Sequence, residues 1–354
     1  MIDIDFQSLR RIGLTQTIVG ALGMLRDASG TLMRIVEVQR EHFALHDGTT
    51  EHRARALPQL LRELQAGNES CTIGDWVVVQ TDDAGDLWMA ARLAPATVIA
   101  RRANDGRRQL LASNVDTALL TMGLDADFNP RRVERSIAMV TAARVEPVVV
   151  LTKKDLSVDA ASRVDSLRER LPPRVPVVAV NGQSDTARDD LAPWLGMGRT
   201  LVLLGSSGAG KSTLTNTLAA ASQSTGGVRK GDGRGRHTTT ARSLHPCADG
   251  ACIIDTPGLR TWRPDADERS LAAAFDDIEA LATRCRYRDC RHGGEPGCAV
   301  RTEVGADRLF NFQKLLRDAR RIEMTQLERA MLRRKWKAIG KSGEERAREK
   351  RRPP

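Results

Sequence analysis

The segment Gly205-Ser-Ser-Gly-Ala-Gly-Lys-Ser212 constrains this 354-residue chain more than any other. It fits the pattern G-x4-G-K-[ST]. It follows the apolar run Leu201-Val-Leu-Leu204 and opens a helix-like stretch from Lys211 to Ala221. Phosphate oxygens need several donors converging on a tight bend. Glycines let backbone N–H groups converge there, and a helix N-terminus adds positive potential. Such a loop needs a strand behind it and a helix in front, which calls for an α/β domain with a parallel sheet. The expected cradle is Gly205, Ser206, Ser207, Gly208, Ala209, Gly210 and Thr213. Lys211 is expected to bridge the terminal phosphates and Ser212 to ligate Mg²⁺.

The flanking sequence agrees. Val115–Met122, Val148–Leu151, Val175–Val180 and Ala251–Ile254 read as buried strands, and 131–143 and 158–171 as helices. Thr152-Lys-Lys-Asp155 follows the second of these strands and resembles the N/T-K-x-D element of GTPases. The Asp155 carboxylate can accept from guanine N1–H and the 2-amino group, whereas adenine would leave it unpaired. The stem of Lys153, beside Lys154, would cover the base. Cys252-Ile-Ile-Asp-Thr-Pro-Gly258 adds a strand ending in D-x-x-G, with Asp255 for the Mg²⁺ shell and Gly258 for the γ-phosphate. Between them, 233–240 holds Gly233, Gly235, His237 and three threonines, a mobile switch in character. The order is unusual: the base reader precedes the phosphate loop by some fifty residues. The domain is therefore read as circularly permuted, which surface termini tolerate.

Cys285, Cys290, His292 and Cys298 give C-x4-C-x-H-x5-C, four ligands within 14 residues, suited to one structural tetrahedral Zn²⁺. Cys71, Cys247 and Cys252 read as core thiols. Residues 1–34 show no clear period. From Leu32 to Ala100, short alternating runs separated by turns suggest a small barrel, with a helical insertion at Leu57–Leu64. Trp76, Trp88 and Phe43 are its aromatic candidates for base stacking or core. Net charge is +10, and residues 333–354 contribute +7 of it (ten Lys/Arg less three Glu), which points to a polyanion partner. No run is long enough to span a membrane, and the first residues lack an apolar secretory core, so a cytoplasmic protein is expected.

Together these motifs, with Ile73-Gly-Asp-Trp-Val77, Ala112-Ser-Asn-Val-Asp116, Asp127-Phe-Asn129, Arg236-His-Thr-Thr-Thr240 and Asp289–Val300, resemble the small ribosomal subunit biogenesis GTPases, the RsgA family, over roughly residues 35–330. The resemblance implies a multidomain chain: an N-terminal OB-fold β-barrel, a central α/β circularly permuted P-loop GTPase domain and a C-terminal helical zinc-binding domain. The boundaries expected are 1–34 for an extension, 35–100 for the barrel, 101–264 for the GTPase domain, 265–340 for the zinc domain and 341–354 for a basic tail. It implies GTP hydrolysis stimulated by the small ribosomal subunit and its rRNA, late in maturation, by a monomer. Thr152 stands where Asn is commoner, which removes an amide contact to base and phosphate loop, and Asn181-Gly-Gln replaces a usual Ser-Ala. Leu259 occupies the place of a water-orienting glutamine, so His237 is the candidate to orient water. Two rivals are a non-catalytic RNA-binding assembly factor and an ATP-using P-loop kinase; Asp155 speaks against the second.

Overall fold

The computed structural model describes residues 2–25, 29–39, 42–102, 107–219, 242–258 and 268–323. The N-terminal segment, without a clear period in the sequence, is folded. β1 (Ile2–Asp3) pairs in parallel with β2 (Gly30–Val38), and α1 (Phe6–Arg10) and α2 (Gln16–Leu22) lie between them. Leu9, Ile12, Leu14 and Ile18 from this segment are buried in the central core. Helices of five and seven residues are too short to display a 3.6-residue repeat. Asp5 caps α1 by accepting from the Gln7 and Ser8 amides, both at 3.1 Å.

The barrel is built from β2, β3 (Phe43–His46), β4 (Glu51–Ala56), β5 (Trp76–Thr81) and β6 (Leu87–Arg92), with α3 (Pro58–Ala66) inserted after β4. The order β2-β3-β4-β6-β5 closes through a β2–β5 pairing. Leu60 of α3 joins Met33, Ile35, Leu45, Val77, Val79 and Met89 in the barrel interior, so the insertion plugs the barrel. The alternate residues Leu32, Val36, Trp76 and Val78 enter the central core instead. β2 and β5 are thus buried on both faces, which explains the unbroken Trp76-Val-Val-Val79 run. β4 (Glu-His-Arg-Ala-Arg-Ala) buries only Ala54, and so gave little apolar signal. Trp76 is core, while Trp88 is half-buried beneath the Arg55 guanidinium, 5.9 Å from its ring.

A hairpin of β7 (Val98–Arg102) and β8 (Arg108–Ser113) leads into the α/β domain. There follow β9 (Thr117–Gly123), α4 (Pro130–Ala142), β10 (Glu146–Thr152), α5 (Ala160–Arg170), β11 (Val177–Ala179), α6 (Thr186–Leu191), β12 (Thr200–Gly205), α7 (Lys211–Ala219), β13 (Ser243–Pro246) and β14 (Cys252–Asp255). Their order across the sheet is β11-β10-β9-β12-β14-β13, parallel except for β13. β12 sits in the middle although it comes late in the chain, the spatial counterpart of the permuted motif order. Ser243 of β13 pairs with Glu37 of β2, making barrel and sheet continuous.

Arg34 ties the two together. Fully buried, it donates to the Ile12, Gly74 and Asn114 carbonyls and to Thr200 Oγ1, and lies 5.3 Å from the Trp76 ring. A buried cation is tolerated when its donors are satisfied in this way.

α8 (Glu268–Ala272), α9 (Asp276–Ala282), α10 (Ala299–Glu303) and α11 (Ala306–Glu323) form the C-terminal part, whose core includes Leu271, Phe275, Ile278, Val300, Phe312 and Leu315. Ala138 of α4 belongs to this core. Around it runs a seam of ions: Arg131 to Asp307, Arg135 to Asp318 at 2.8 Å, and Arg174 to Asp276. At its centre the buried Glu134 accepts from Arg170 at 2.7 and 2.9 Å and from Asn311 at 2.7 Å. The helix expected over 306–337 is described as far as Glu323.

Candidate nucleotide site and metal cluster

The loop Gly205–Ser212 joins the end of β12 to the start of α7, in the crevice at the carboxyl ends of the parallel strands, where open α/β sheets bind ligands. Gly210 has φ +83°, and a Cβ there would meet the Thr152 side chain at 3.2 Å. Lys211 Nζ donates to the Gly205 and Ser206 carbonyls, at 3.2 and 2.8 Å. Burial lowers the Lys211 pKa, while the Asp255 and Asp127 carboxylates oppose that shift. Ser207, Gly208 and Thr213 are exposed and Ala209 is buried.

Ser212 Oγ donates to Asp255 Oδ2 at 3.0 Å. Asp255 ends β14, is 5% exposed, and its other oxygen, Oδ1, is buried without a hydrogen-bond partner. Burial raises the Asp255 pKa; the Ser212 hydrogen bond and the Lys211 charge work against this. A buried carboxylate oxygen without a partner, beside a serine hydroxyl at the head of α7, is a donor set that fits Mg²⁺. Gly258 lies close to the loop: a Cβ there would fall 2.5 Å from the Ser207 nitrogen. The D-x-x-G segment thus rests against a backbone amide of the phosphate cradle.

The segment expected to read the base, Thr152–Asp155, lies alongside. Thr152 Oγ1 donates to the Ala209 carbonyl at 2.8 Å. The hydroxyl therefore restores the contact to the phosphate loop that the replacement of Asn was expected to remove. Lys153 adopts φ +62° and pairs with Asp125 at 2.6 Å. Asp155 is exposed on the short 3₁₀ turn Lys154–Leu156. The side chain of Lys154 lines a groove between α5 and β11 with Val164 and Val177. In the Asn181-Gly-Gln segment, the Gly182 carbonyl accepts from Thr217 of α7 at 2.7 Å, which ties this loop to α7. His237, with the rest of 233–240, and Leu259 lie outside the described residues, as does the tail 341–354.

Two residues of the site escaped sequence reasoning. Asp127 Oδ2 accepts from Ser206 Oγ at 2.7 Å, and Asp125 holds Lys153. The Asp127-Phe-Asn129 motif was visible, but nothing in it names its partners.

Cys285, Cys290, His292 and Cys298 converge, with their ligand atoms all within 4.8 Å of one another. His292 Nδ1 lies 3.4 Å from Cys298 Sγ and 3.7 Å from Cys285 Sγ. Glu295 folds the intervening turn by accepting from the Arg291, Gly293 and Gly294 amides. Cys298 caps α10, and its sulfur accepts from the Arg301 amide at 3.4 Å. Gln313 of α11 donates to the His292 carbonyl at 3.0 Å. Three thiols and an imidazole at this spacing can hold one metal ion. Outside the cluster, burial pushes the Cys71 and Cys247 thiols up to about 12 and Cys252 up to about 11.

Comparison with known proteins adds to this geometry. The family model described as RsgA GTPase matches residues 94–264. The protein named small ribosomal subunit biogenesis GTPase RsgA from Xanthomonas oryzae pv. oryzae (strain MAFF 311018) is 44% identical over 291 residues, 80% of this chain and 79% of that one. Its namesake from Xylella fastidiosa (strain M23) is 44% identical over 292 residues, 80% and 86% of the two chains. Among solved structures, YjeQ from Thermotoga maritima superposes with a TM-score of 0.60 at 22% identity, over 81% of this chain and 98% of that one. YloQ, described as a circularly permuted GTPase, gives 0.56 at 20% identity, over 83% and 96%.

Proposed function

This chain belongs to the RsgA family of circularly permuted GTPases, hydrolases of GTP, and from that premise we propose that it acts on the small ribosomal subunit as a late maturation checkpoint. The observation that carries the site assignment is the pairing of Ser212 with Asp255, whose second carboxylate oxygen is left unpartnered beside the phosphate loop. Gly205–Thr213 cradle the phosphates, Lys211 leaves the loop carbonyls for the β- and γ-oxygens, and Ser212 and Asp255 would hold Mg²⁺. The ion would supply neutralisation of phosphate charge. Asp155 reads guanine, with Lys153 over the base. Gly258, packed against the Ser207 amide, is placed for its own N–H to sense the γ-phosphate, and a shift of Gly258 on GTP binding is the expected response. Residues downstream of Gly258 lead to the C-terminal helices, and that shift can therefore be felt there.

Cys285, Cys290, His292 and Cys298 are assigned to one structural Zn²⁺, since three thiolates and an imidazole are its preferred set and no ligand position is left for chemistry. With Leu259 where an orienting glutamine would stand, turnover alone is slow, and His237 orients the attacking water when the subunit holds the switch. GTP in return favours the subunit-bound state, because coupling between binding equilibria is reciprocal. The barrel face and the basic C-terminus supply the RNA contacts, and the protein works as a cytoplasmic monomer.

GTP turnover with and without purified small subunits tests this reading. Stimulation by the subunits, and tighter binding to them with a GTP analogue than with GDP, are expected. Equal turnover in both conditions would remove the checkpoint and favour a factor that uses GTP only as a conformational ligand.

A further inference from the structure

Taking Gly205–Ser212 and Thr152–Asp155 as the two halves of the nucleotide site, as proposed above, we infer that the loop between β9 and α4 is a positioning clamp, with Asp127 setting the phosphate loop and Asp125 setting the base reader. The two halves are some fifty residues apart in the chain, yet a nucleotide needs them at one spacing. The clamp loop reaches both. Asp127 Oδ2 accepts from Ser206 Oγ at 2.7 Å, and the carbonyl of the same Ser206 accepts from Lys211 at 2.8 Å. Two positions along the chain, Asp125 Oδ2 accepts from Lys153 Nζ at 2.6 Å. The Asp127 amide donates to Asp125 Oδ1 at 2.9 Å, so the carboxylates are not independently free to move.

The loop is itself braced from two helices. Arg132 of α4 pairs with Asp127 at 2.6 Å and also donates to its carbonyl. Arg163 of α5 donates to the Leu124 and Asp125 carbonyls at 3.0 and 3.3 Å, and its guanidinium lies 5.4 Å from the Phe128 ring. Asn129 caps α4 by accepting from the Arg132 amide.

Charge gives the second argument. A carboxylate near a phosphate cradle repels the ligand unless it is neutralised. Asp127 has Arg132 for that purpose, and its hydrogen bond is spent on the loop. Lys153, in the left-handed region, has an imposed backbone, and its ion pair with Asp125 selects one direction for the side chain. Neither carboxylate touches reacting atoms. Both act through a partner, and the partners serve GDP and GTP alike.

The expected signature is therefore a loss of affinity without loss of chemistry. Asp127→Ala and Ser206→Ala should each raise the GDP dissociation constant and the KM for GTP about tenfold, the worth of one charge-assisted hydrogen bond. kcat at saturating GTP should stay unchanged in Asp127→Ala, while Ser206→Ala, a change within the phosphate loop itself, is read by affinity alone. The double variant should be no weaker than either single one, since both remove the same bond. Asp127→Asn, which keeps an oxygen acceptor, should recover most of the affinity. Asp125→Ala should weaken GDP binding about threefold, as an exposed ion pair allows. Additive losses in the double variant, no recovery in Asp127→Asn, or a fall in kcat at unchanged KM in Asp127→Ala would overturn the clamp; Ser206→Ala and Asp127→Asn decide it even if Asp127→Ala does not fold. Lys211→Ala separates the two levels: if that variant binds GDP normally, the site assignment and the clamp both fall, and if it loses GDP while Asp127→Ala and Ser206→Ala bind normally, only the clamp falls.

Discussion

The nucleotide site and the metal cluster are built in opposite ways. The first gathers Asp127, Thr152, Ser206, Ser212 and Asp255 from the carboxyl ends of four strands, and each side chain is held by a partner far away in the sequence. The second lies within 14 consecutive residues, and its turn is folded by its own Glu295 and backbone amides. The central strands of the sheet that presents the first are buried: β9 and β12 have no exposed residue. The second has three partly exposed ligands and a core shared between the short helices α8–α10 and the longer α11. The first site can therefore exist without its ligand, while the second depends on its own for order.

Metal removal should break the comparison most visibly. A structural zinc site contributes on the order of 10 kcal/mol at neutral pH. Chelation, or Cys290→Ser, is expected to disorder the C-terminal helices while GDP still binds the remainder. Metal analysis of the intact protein should give about one Zn per chain. Loss of GDP binding on chelation would show that the two regions are one unit. Next in size is Lys211→Ala, which should lower GTP affinity or turnover on the order of a hundredfold and leave metal content unchanged; a change in metal content would again join the regions.

Asp155→Asn should exchange an acceptor for a donor opposite the 2-position and shift preference from guanine to xanthine nucleotides by about a hundredfold. Competition of GTP and XTP for the variant measures it, and unchanged preference would remove Asp155 from base reading. The smallest effect concerns the seam between the regions. Arg131 and Arg170 hold the Asp307 pKa at about 2, below its ordinary 3.8. A depressed carboxylate stabilises the folded state above its unfolded value, and this stabilisation is lost as pH falls from about 3.8 to about 2. Because Asp307 is 46% exposed, its contribution is about 1 kcal/mol or less. Asp307→Asn should flatten that part of an acid titration and reduce the salt dependence of C-terminal docking; an unchanged titration would remove Asp307 from the seam's pH dependence.

The two regions also differ in how much of each was legible. The metal cluster could be read whole, because ligand spacing and a turn-forming Gly-Gly-Glu-Pro-Gly are local properties. The positions of Gly205–Ser212, Thr152–Asp155 and Asp255–Gly258 at strand ends could be read too, since each is a short motif behind an apolar run. What ties them together could not. Asp127 meets Ser206 across 79 positions, and no residue type announces its partner. β4 and β13 were missed for a different reason: Glu-His-Arg-Ala-Arg-Ala and Ser-Leu-His-Pro carry too few apolar residues to register as strands. The first two helices were missed because they are too short for a period.

Arg34 carries a consequence for how this molecule reaches its folded state. Its guanidinium is satisfied only when a carbonyl from the N-terminal segment, one from the barrel, one from the turn after β8 and the hydroxyl at the head of β12 are all present. A barrel that closed first would bury this cation with half its partners missing, at a cost of several kcal/mol. Barrel and sheet should consequently cross the folding barrier together and melt in one transition, although the sequence reads as two domains. An early β2–β5 pairing emerging from the ribosome would wait, incompletely docked, until Thr200 is synthesised 166 residues after Arg34.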